Sequence, residues 1–383
     1  MTGDTRFRLP PPRGETDLLV VAGEHSGDEH AARMVAGLLR LRPGLRVAAL
    51  GGPRLAAAGA QLLHDRTGVS VVGFAEVLRN LGYFRALIEE TVRWIGEFRP
   101  KAVCFVDNSG VNLRIAEALR LRGISARGGG PVRTLYYISP QIWASRAARR
   151  FEMARNLDAL AVIFPFEVGC YADTGLDVEF VGHPFMAPDY APPVRFDPAG
   201  PVLLLPGSRP KAVGLIIPAL LGGYREFARG APGRGAVVLY PSAAIRSQLE
   251  ALGAGAEARL QPRGEVAAAS AVLTSSGTMS MHCALAGIPG AIAYRTDPLT
   301  YLMARWLVRV PYLGIANILL GEPMYPEYIQ GSATAPALAA ELAACVADPS
   351  RRARTAAQSA ELRAMLVNPA GVTEAVWLSR NLP

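Results

Sequence analysis

Two series of short apolar runs most constrain this 383-residue chain, each run ending in a glycine, serine or proline turn before a helix-like stretch. In the first half, Leu18–Val21 leads into Gly23–Asp28, where Gly23 and Gly27 read as sharp turns, and then into a helix-like stretch from Glu29 to Leu41. Strand-like segments follow at Arg46–Gly52, Lys101–Asp107, Val132–Ser139 and Leu160–Phe166, with helical patterns at Tyr83–Phe98 and Ala144–Asn156. Such regular alternation implies an α/β protein with a parallel, doubly wound sheet. Between His183 and Pro201 six prolines break the pattern, as a linker or boundary does. A second series then runs through Pro201–Arg209, Ala236–Ser242, Ala271–Thr278 and Gly290–Thr296. The expected organisation is an N-terminal Rossmann-like domain over residues 1–190, with residues 1–16 a flexible leader. A second domain covers 200–365, and a terminal helix at 366–383 is free to pack back on the first. Two such units make a bilobal protein with an interdomain cleft, a common place for a ligand.

The formal charge of +8, mostly from arginine, favours an anionic partner: a nucleotide, a phosphorylated sugar, nucleic acid or an acidic membrane surface. The four cysteines form no CxxC pair and the five histidines no HxxH pattern, so buried free thiols and no structural zinc are expected. No run of about 18 apolar residues exists to span a membrane. The N-terminus lacks the apolar core of a secretory signal.

Three turns carry candidate chemistry. The first, Ala22–Asp28, places two carboxylates, a histidine and a serine where a parallel sheet binds ligands, or is a plain βα turn. The second, Leu203–Lys211, ends a strand in Pro-Gly-Ser-Arg; its N–H groups and cations suit a phosphate, or belong to an ordinary basic turn. In the third, Ser275, Ser276, Gly277 and Thr278 begin a helix whose dipole favours a diphosphate, although ordinary caps look alike. A dinucleotide oxidoreductase is disfavoured, because the first loop lacks GxGxxG and Arg46–Gly52 ends without an acidic ribose partner.

Taken in order, Ala22–Asp28, Gly51–Gly59, Val71–Leu78, Tyr136–Arg146, Phe164–Glu167, Val181–Pro184, Leu204–Arg209, Ser276–Thr278 and Pro298–Glu322 resemble the blocks of the lipid-A-disaccharide synthase family. That resemblance implies a GT-B fold and an inverting glycosyl transfer. UDP-2,3-diacylglucosamine would be the donor and 2,3-diacylglucosamine 1-phosphate the acceptor, giving lipid A disaccharide 1-phosphate and UDP. It implies no metal or other cofactor, no nucleic acid, and a cytoplasmic protein lying peripherally on the anionic inner face of the cell membrane. Oligomeric state stays open, a homodimer included.

By the same resemblance Asp107 is the candidate base, its alternative being a helix cap. Glu24 is an acceptor-side or orienting group, and Ser26 and Asn112 are acceptor- or lipid-contact residues. On the donor side, Arg209 with Gly207 and Ser208, and Ser276, Gly277 and Thr278, match the phosphate-binding turns. Asn317 and Gln330 match polar positions there, Asn317 being equally readable as a turn residue. Val72 and Phe74 form an acyl-binding surface or core. Trp306, within a basic amphipathic stretch from Tyr301 to Arg309, contacts lipid or packs inside.

Two positions depart from the family pattern. Gly110 replaces a carboxylate three residues after Asp107, and His282 replaces a glutamate expected to hold the donor ribose. An imidazole does not reproduce a bidentate carboxylate. A divergent GT-B transferase or sugar-nucleotide enzyme with another donor or acceptor is therefore an alternative. A catalytically weak, membrane-associated binding protein on the same fold is a second.

Overall fold

Leu18–Ala22, five consecutive apolar residues, forms strand β1 with every residue buried. The computed structural model describes residues 7–67, 81–231, 233–298, 300–302 and 310–383. Strand β1 pairs in parallel with β2 (Val47–Gly51) on one side and β4 (Ala102–Val106) on the other. The sheet adds β3 (Gln61–Asp65) beyond β2, and β5 (Arg133–Tyr137), β6 (Ala159–Val162) and β7 (Asp177–Phe180) beyond β4. All of these pairs are parallel. The chain thus builds outward from β1 through β2 to β3, then returns to start again at β4. That reversal opens a crevice at the carboxyl ends of β1 and β4, where α/β sheets hold ligands.

Both faces of this sheet are covered. On one, Leu18 and Val20 pack with Met34, Val35 and Leu38 of the helix His25–Leu41, and with Trp377 and Leu378 of the helix Glu374–Asn381. On the other, Leu19 and Val21 share a core with Trp94, Phe105 and Tyr136. Residues 7–16, expected as a flexible leader, are instead tied down. Leu9 is buried and its N–H donates to Glu90 Oε1 (2.8 Å), while Trp94 Nε1 donates to the Pro10 carbonyl (2.9 Å). Met1–Met186 together with Leu366–Pro383 make one structural unit.

Ala187–Met365 make the other unit. Its sheet repeats the same logic with β9 (Val202–Leu205) at the centre, β10 (Ala236–Tyr240) and β11 (Arg259–Pro262) on one side, and β13 (Ala271–Thr274), β14 (Gly290–Tyr294) and β15 (Glu327–Ile329) on the other. A separate parallel pair joins β8 (Val194–Phe196) and β12 (Ala267–Ala269). Strands β9 and β13 are neighbours, Leu205 opposite Thr274, so the reversal of strand order falls between them. Helices Pro210–Gly230 and Ala335–Ala347 cross closely over this sheet; a Cβ on Gly223 would lie 2.6 Å from that of Leu338. Among the described residues no helix is long and apolar enough to cross a membrane.

Three local expectations change. The first helix begins at His25 rather than Glu29, so Gly27 lies within its first turn and not at a sharp bend. Strand β6 stops at Val162, after which Pro165–Glu167 winds into a 3₁₀ turn. Of the stretch Ala144–Asn156, only Arg149–Asn156 is helix.

Candidate active site

At the first strand reversal, the loops after β1 and β4 touch. A Cβ on Gly23 would come within 2.2 Å of Asn108 Nδ2, so only glycine allows this approach. We expect Gly23→Ala to destabilise the first unit by about 1–3 kcal/mol through overpacking. Thermal unfolding measures this, and an unchanged midpoint would mean that Asn108 moves aside freely. Glu24 follows as the exposed N-cap residue of the helix His25–Leu41, and Ser26 is exposed in its first turn.

Facing them, Asp107 and Asn108 both take left-handed backbone conformations, φ +49° and +45°. Asp107 remains accessible to solvent, yet protein crowds its carboxyl on most sides. That desolvation raises its pKa; the Asn108 backbone N–H bonded to it opposes the shift, and the nearby Glu24 charge adds to it. The two carboxylates therefore share one corner.

Asn112, expected on the acceptor side, is instead turned inward. It is fully buried, and its Nδ2 donates to the carbonyls of Asp107 (2.8 Å), Val106 (3.3 Å) and Val21 (3.3 Å), stitching the ends of β1 and β4 together. Asp28 is also internal. Its carboxylate accepts the N–H groups of Gly52 (2.8 Å), Arg54 (3.0 Å) and Leu55 (3.2 Å), and so caps the short helix Pro53–Ala57. Gly110, by contrast, is exposed, with open space where a Cβ would stand.

Residues with no role assigned from the sequence brace this corner and the loop after β5. The Tyr136 hydroxyl donates to the Asp107 carbonyl (2.6 Å), and Arg149 Nη1 donates to Ser109 Oγ (3.1 Å). Glu167, buried, accepts from Trp143 Nε1 (3.2 Å) and the Phe164 N–H (3.1 Å), anchoring the loop after β5. Burial pushes its pKa up to about 7 against those bonds. Glu167 and Trp143 lie in the blocks Phe164–Glu167 and Tyr136–Arg146, but nothing in those blocks pairs them.

The second unit presents a matching crevice at β9 and β13. Gly207 has φ +105°, and its Cβ direction points at Ser275 Oγ, 3.2 Å away. The Ser275 N–H donates to the Leu205 carbonyl (2.8 Å), so the Pro206–Arg209 and Ser275–Thr278 loops lie side by side. Ser208, Arg209, Gly277 and Thr278 are exposed, and Ser276 is half-buried. Gly277 caps the helix Thr278–Leu285 without a side-chain bond, leaving first-turn N–H groups for another acceptor. Arg209 makes no ion pair among the described residues, whereas Lys211 is bonded to Asp297 (2.9 Å).

Three residues expected on the donor side are committed within the protein. Asn317 is fully buried; its Nδ2 donates to the Tyr325 carbonyl (2.7 Å) and Glu327 Oε1 (2.9 Å), and its Oδ1 accepts the Tyr325 N–H (3.0 Å). Asn317 thus stands within the short helix Ile315–Leu320, rather than in a turn, and ties it to the Tyr325 backbone. Gln330, at φ +54°, exchanges both amide bonds with the backbone of Thr296 (3.0 Å each). His282 is largely buried, stacked on Tyr190, with its Nδ1 hydrogen-bonded to the Tyr190 hydroxyl. Glu327, which the sequence did not single out, accepts the N–H groups of Leu313 and Gly314 and fixes that loop. Val72, Phe74 and Trp306 lie outside the described residues.

The family model described as lipid-A-disaccharide synthetase matches residues 18–373. The lipid-A-disaccharide synthase of Anaeromyxobacter dehalogenans (strain 2CP-1) is 35% identical over 375 residues, covering 94% of this chain and 96% of the relative. That of Geobacter metallireducens is 35% identical over 364 residues, covering 91% and 92%. Among solved structures, the glycotransferase of kitacinnamycin has a TM-score of 0.58 at 16% identity, covering 97% of this chain and all of that one. A putative UDP-N-acetylglucosamine 2-epimerase from Listeria monocytogenes also scores 0.58, at 12% identity, covering 95% and 94%. MurG of Acinetobacter baumannii scores 0.52 at 14%, covering 95% and 99%. Those structures bear on the fold alone, which is GT-B and is common to transferases and an epimerase. The full-length sequence matches make the finer distinction.

Proposed function

The chain belongs to the lipid-A-disaccharide synthase family and is a glycosyltransferase of lipid A biosynthesis, and from that premise we propose that Asp107 is the general base of its transfer reaction. The 6-hydroxyl of 2,3-diacylglucosamine 1-phosphate gives its proton to the Asp107 carboxylate as its oxygen attacks the anomeric carbon of UDP-2,3-diacylglucosamine. The bond from that carbon to the diphosphate breaks with inversion, and UDP leaves with the electron pair. Arg209 and the N–H groups around Ser208 and Gly277 take up the charge developing on the diphosphate. Glu24 orients the acceptor and, as a neighbouring anion, keeps the base more basic than an ordinary aspartate.

The observation that carries this reading is the accessible Asp107 carboxyl, raised in pKa by crowding and set by a left-handed backbone at a strand reversal. Peripheral association with the anionic inner face of the cell membrane belongs to the same proposal. Its support is the charge of +8 and the acyl chains of both substrates. Purified protein given both acylated substrates should release disaccharide 1-phosphate and UDP in equal amounts. UDP release without disaccharide, or no reaction from folded protein, would sink the proposal.

The departure at Gly110 has a definite expected consequence. Because a side chain there meets only open space, near the start of the helix Ser109–Leu121, Gly110→Asp should fold normally. Removing a helical glycine and adding an acid near the helix N-terminus should stabilise it by about 0.5–1 kcal/mol. A lower thermal midpoint would show that the loop has no room for the carboxylate.

A further inference from the structure

Six non-glycine residues have positive φ among the described residues, and three of them, Asp107, Asn108 and Ile138, stand at the carboxyl ends of the adjacent strands β4 and β5. Ile138, at φ +69°, is the most costly, because a branched Cβ fits that region poorly. Strain concentrated in this way persists only where surrounding bonds over-determine the backbone. Here the bonds are explicit. The Asp107 N–H donates to the Tyr137 carbonyl (3.1 Å), and the Ile138 N–H to that of Ala161 (3.0 Å). The Asp107 carbonyl receives two side-chain donors, the Tyr136 hydroxyl (2.6 Å) and Asn112 Nδ2 (2.8 Å). Both side chains are fully buried, so neither reaches a substrate directly.

We propose that Tyr136, with Asn112 as its second arm, is a positioning residue that locks Asp107 in the left-handed conformation from which its carboxyl serves as base. The inference rests on the reading of Asp107 as that base. Without the clamp, the peptide after Asp107 is free to relax toward ordinary φ, swinging the carboxyl away from the attacking hydroxyl. Catalytic groups lose much of their effect when displaced by as little as about 1 Å. Burial first, and then the Asp107 charge, push the Tyr136 phenol well above its usual pKa, so it stays a neutral donor through the working pH range.

Tyr136→Phe removes one hydroxyl and leaves the ring packed beside Phe105. Its kcat should fall about tenfold, as the loss of one structural hydrogen bond allows, with KM for both substrates unchanged within about twofold. In an Asp107→Asn background the same substitution should cause no further loss, because its effect passes through the Asp107 carboxyl. Wild-type kcat in Tyr136→Phe, or an equal fractional loss in both backgrounds, overturns the clamp. Full activity of Asp107→Asn alone instead overturns the reading of the base. Asn112→Ala supplies a second check: its residual kcat should fall with KM preserved, and a rise in KM without a fall in kcat counts against the proposal.

Discussion

Asp107→Asn should lower kcat by about 10²- to 10⁴-fold, the span ordinarily contributed by a positioned general base, while the folded protein becomes more stable at neutral pH. The two effects have one cause. Crowding first, and then the Glu24 charge, raise the Asp107 pKa above that of an ordinary aspartate, so the native state favours the protonated carboxyl. Stability linked to that proton is fully present below the unfolded-state value and is lost as pH rises through the raised native value. At neutral pH the ionised side chain therefore works against the fold, and a neutral amide removes that penalty. Asparagine also suits the backbone, since it tolerates φ +49° better than most residues. The thermal midpoint should rise at pH 7, with the gain disappearing as pH falls toward the ordinary aspartate range. The acidic limb of the wild-type rate profile should lie above that range and vanish in the variant. A variant that keeps its rate would remove Asp107 from the chemistry, and one that gains no stability at pH 7 would overturn the raised native pKa.

The central strands were legible because burial on both faces leaves only apolar residues: Leu18–Ala22, Ala102–Val106 and Val202–Leu205 declare themselves without neighbours. The edge strands β3, β7 and β15 were not. Gln61–Asp65, Asp177–Phe180 and Glu327–Ile329 carry polar residues and depend on their partners for register. The site divides in the same way. Asp107, Glu24 and Arg209 lie at strand or loop ends that the chain order places at a strand reversal, and each remains accessible. Asn112, Asn317 and Gln330 instead spend their amides on backbone groups up to 91 residues away in the chain. An amide reads alike in sequence whether it awaits a ligand or replaces a missing backbone partner. Only the tertiary structure shows which carbonyls lack one.

Arg209→Ala should reduce kcat/KM by about 10²- to 10³-fold, comparable to removing one preorganised donor from a developing oxyanion. Position and company single out this arginine. It follows Gly207, whose φ of +105° turns the chain, and it stands exposed as the N-cap residue of the helix Pro210–Gly230. The neighbouring cation is already engaged: Lys211 bonds Asp297 and holds that carboxyl well below its usual pKa, with Thr300 assisting. A diphosphate leaving group placed at this turn meets Arg209 unencumbered and Lys211 pre-paired. Lys211→Ala should therefore change kcat/KM only severalfold, and serves as the internal control. Arg209→Lys should recover part of the loss, since the charge returns without the planar fork that bonds two phosphate oxygens. The alanine variant should also bind UDP more weakly, with the difference from wild type shrinking as salt screens the contact. Equal losses at Arg209 and Lys211 would mean that the turn acts only through its net charge. A larger loss at Lys211 would transfer the leaving-group role to it.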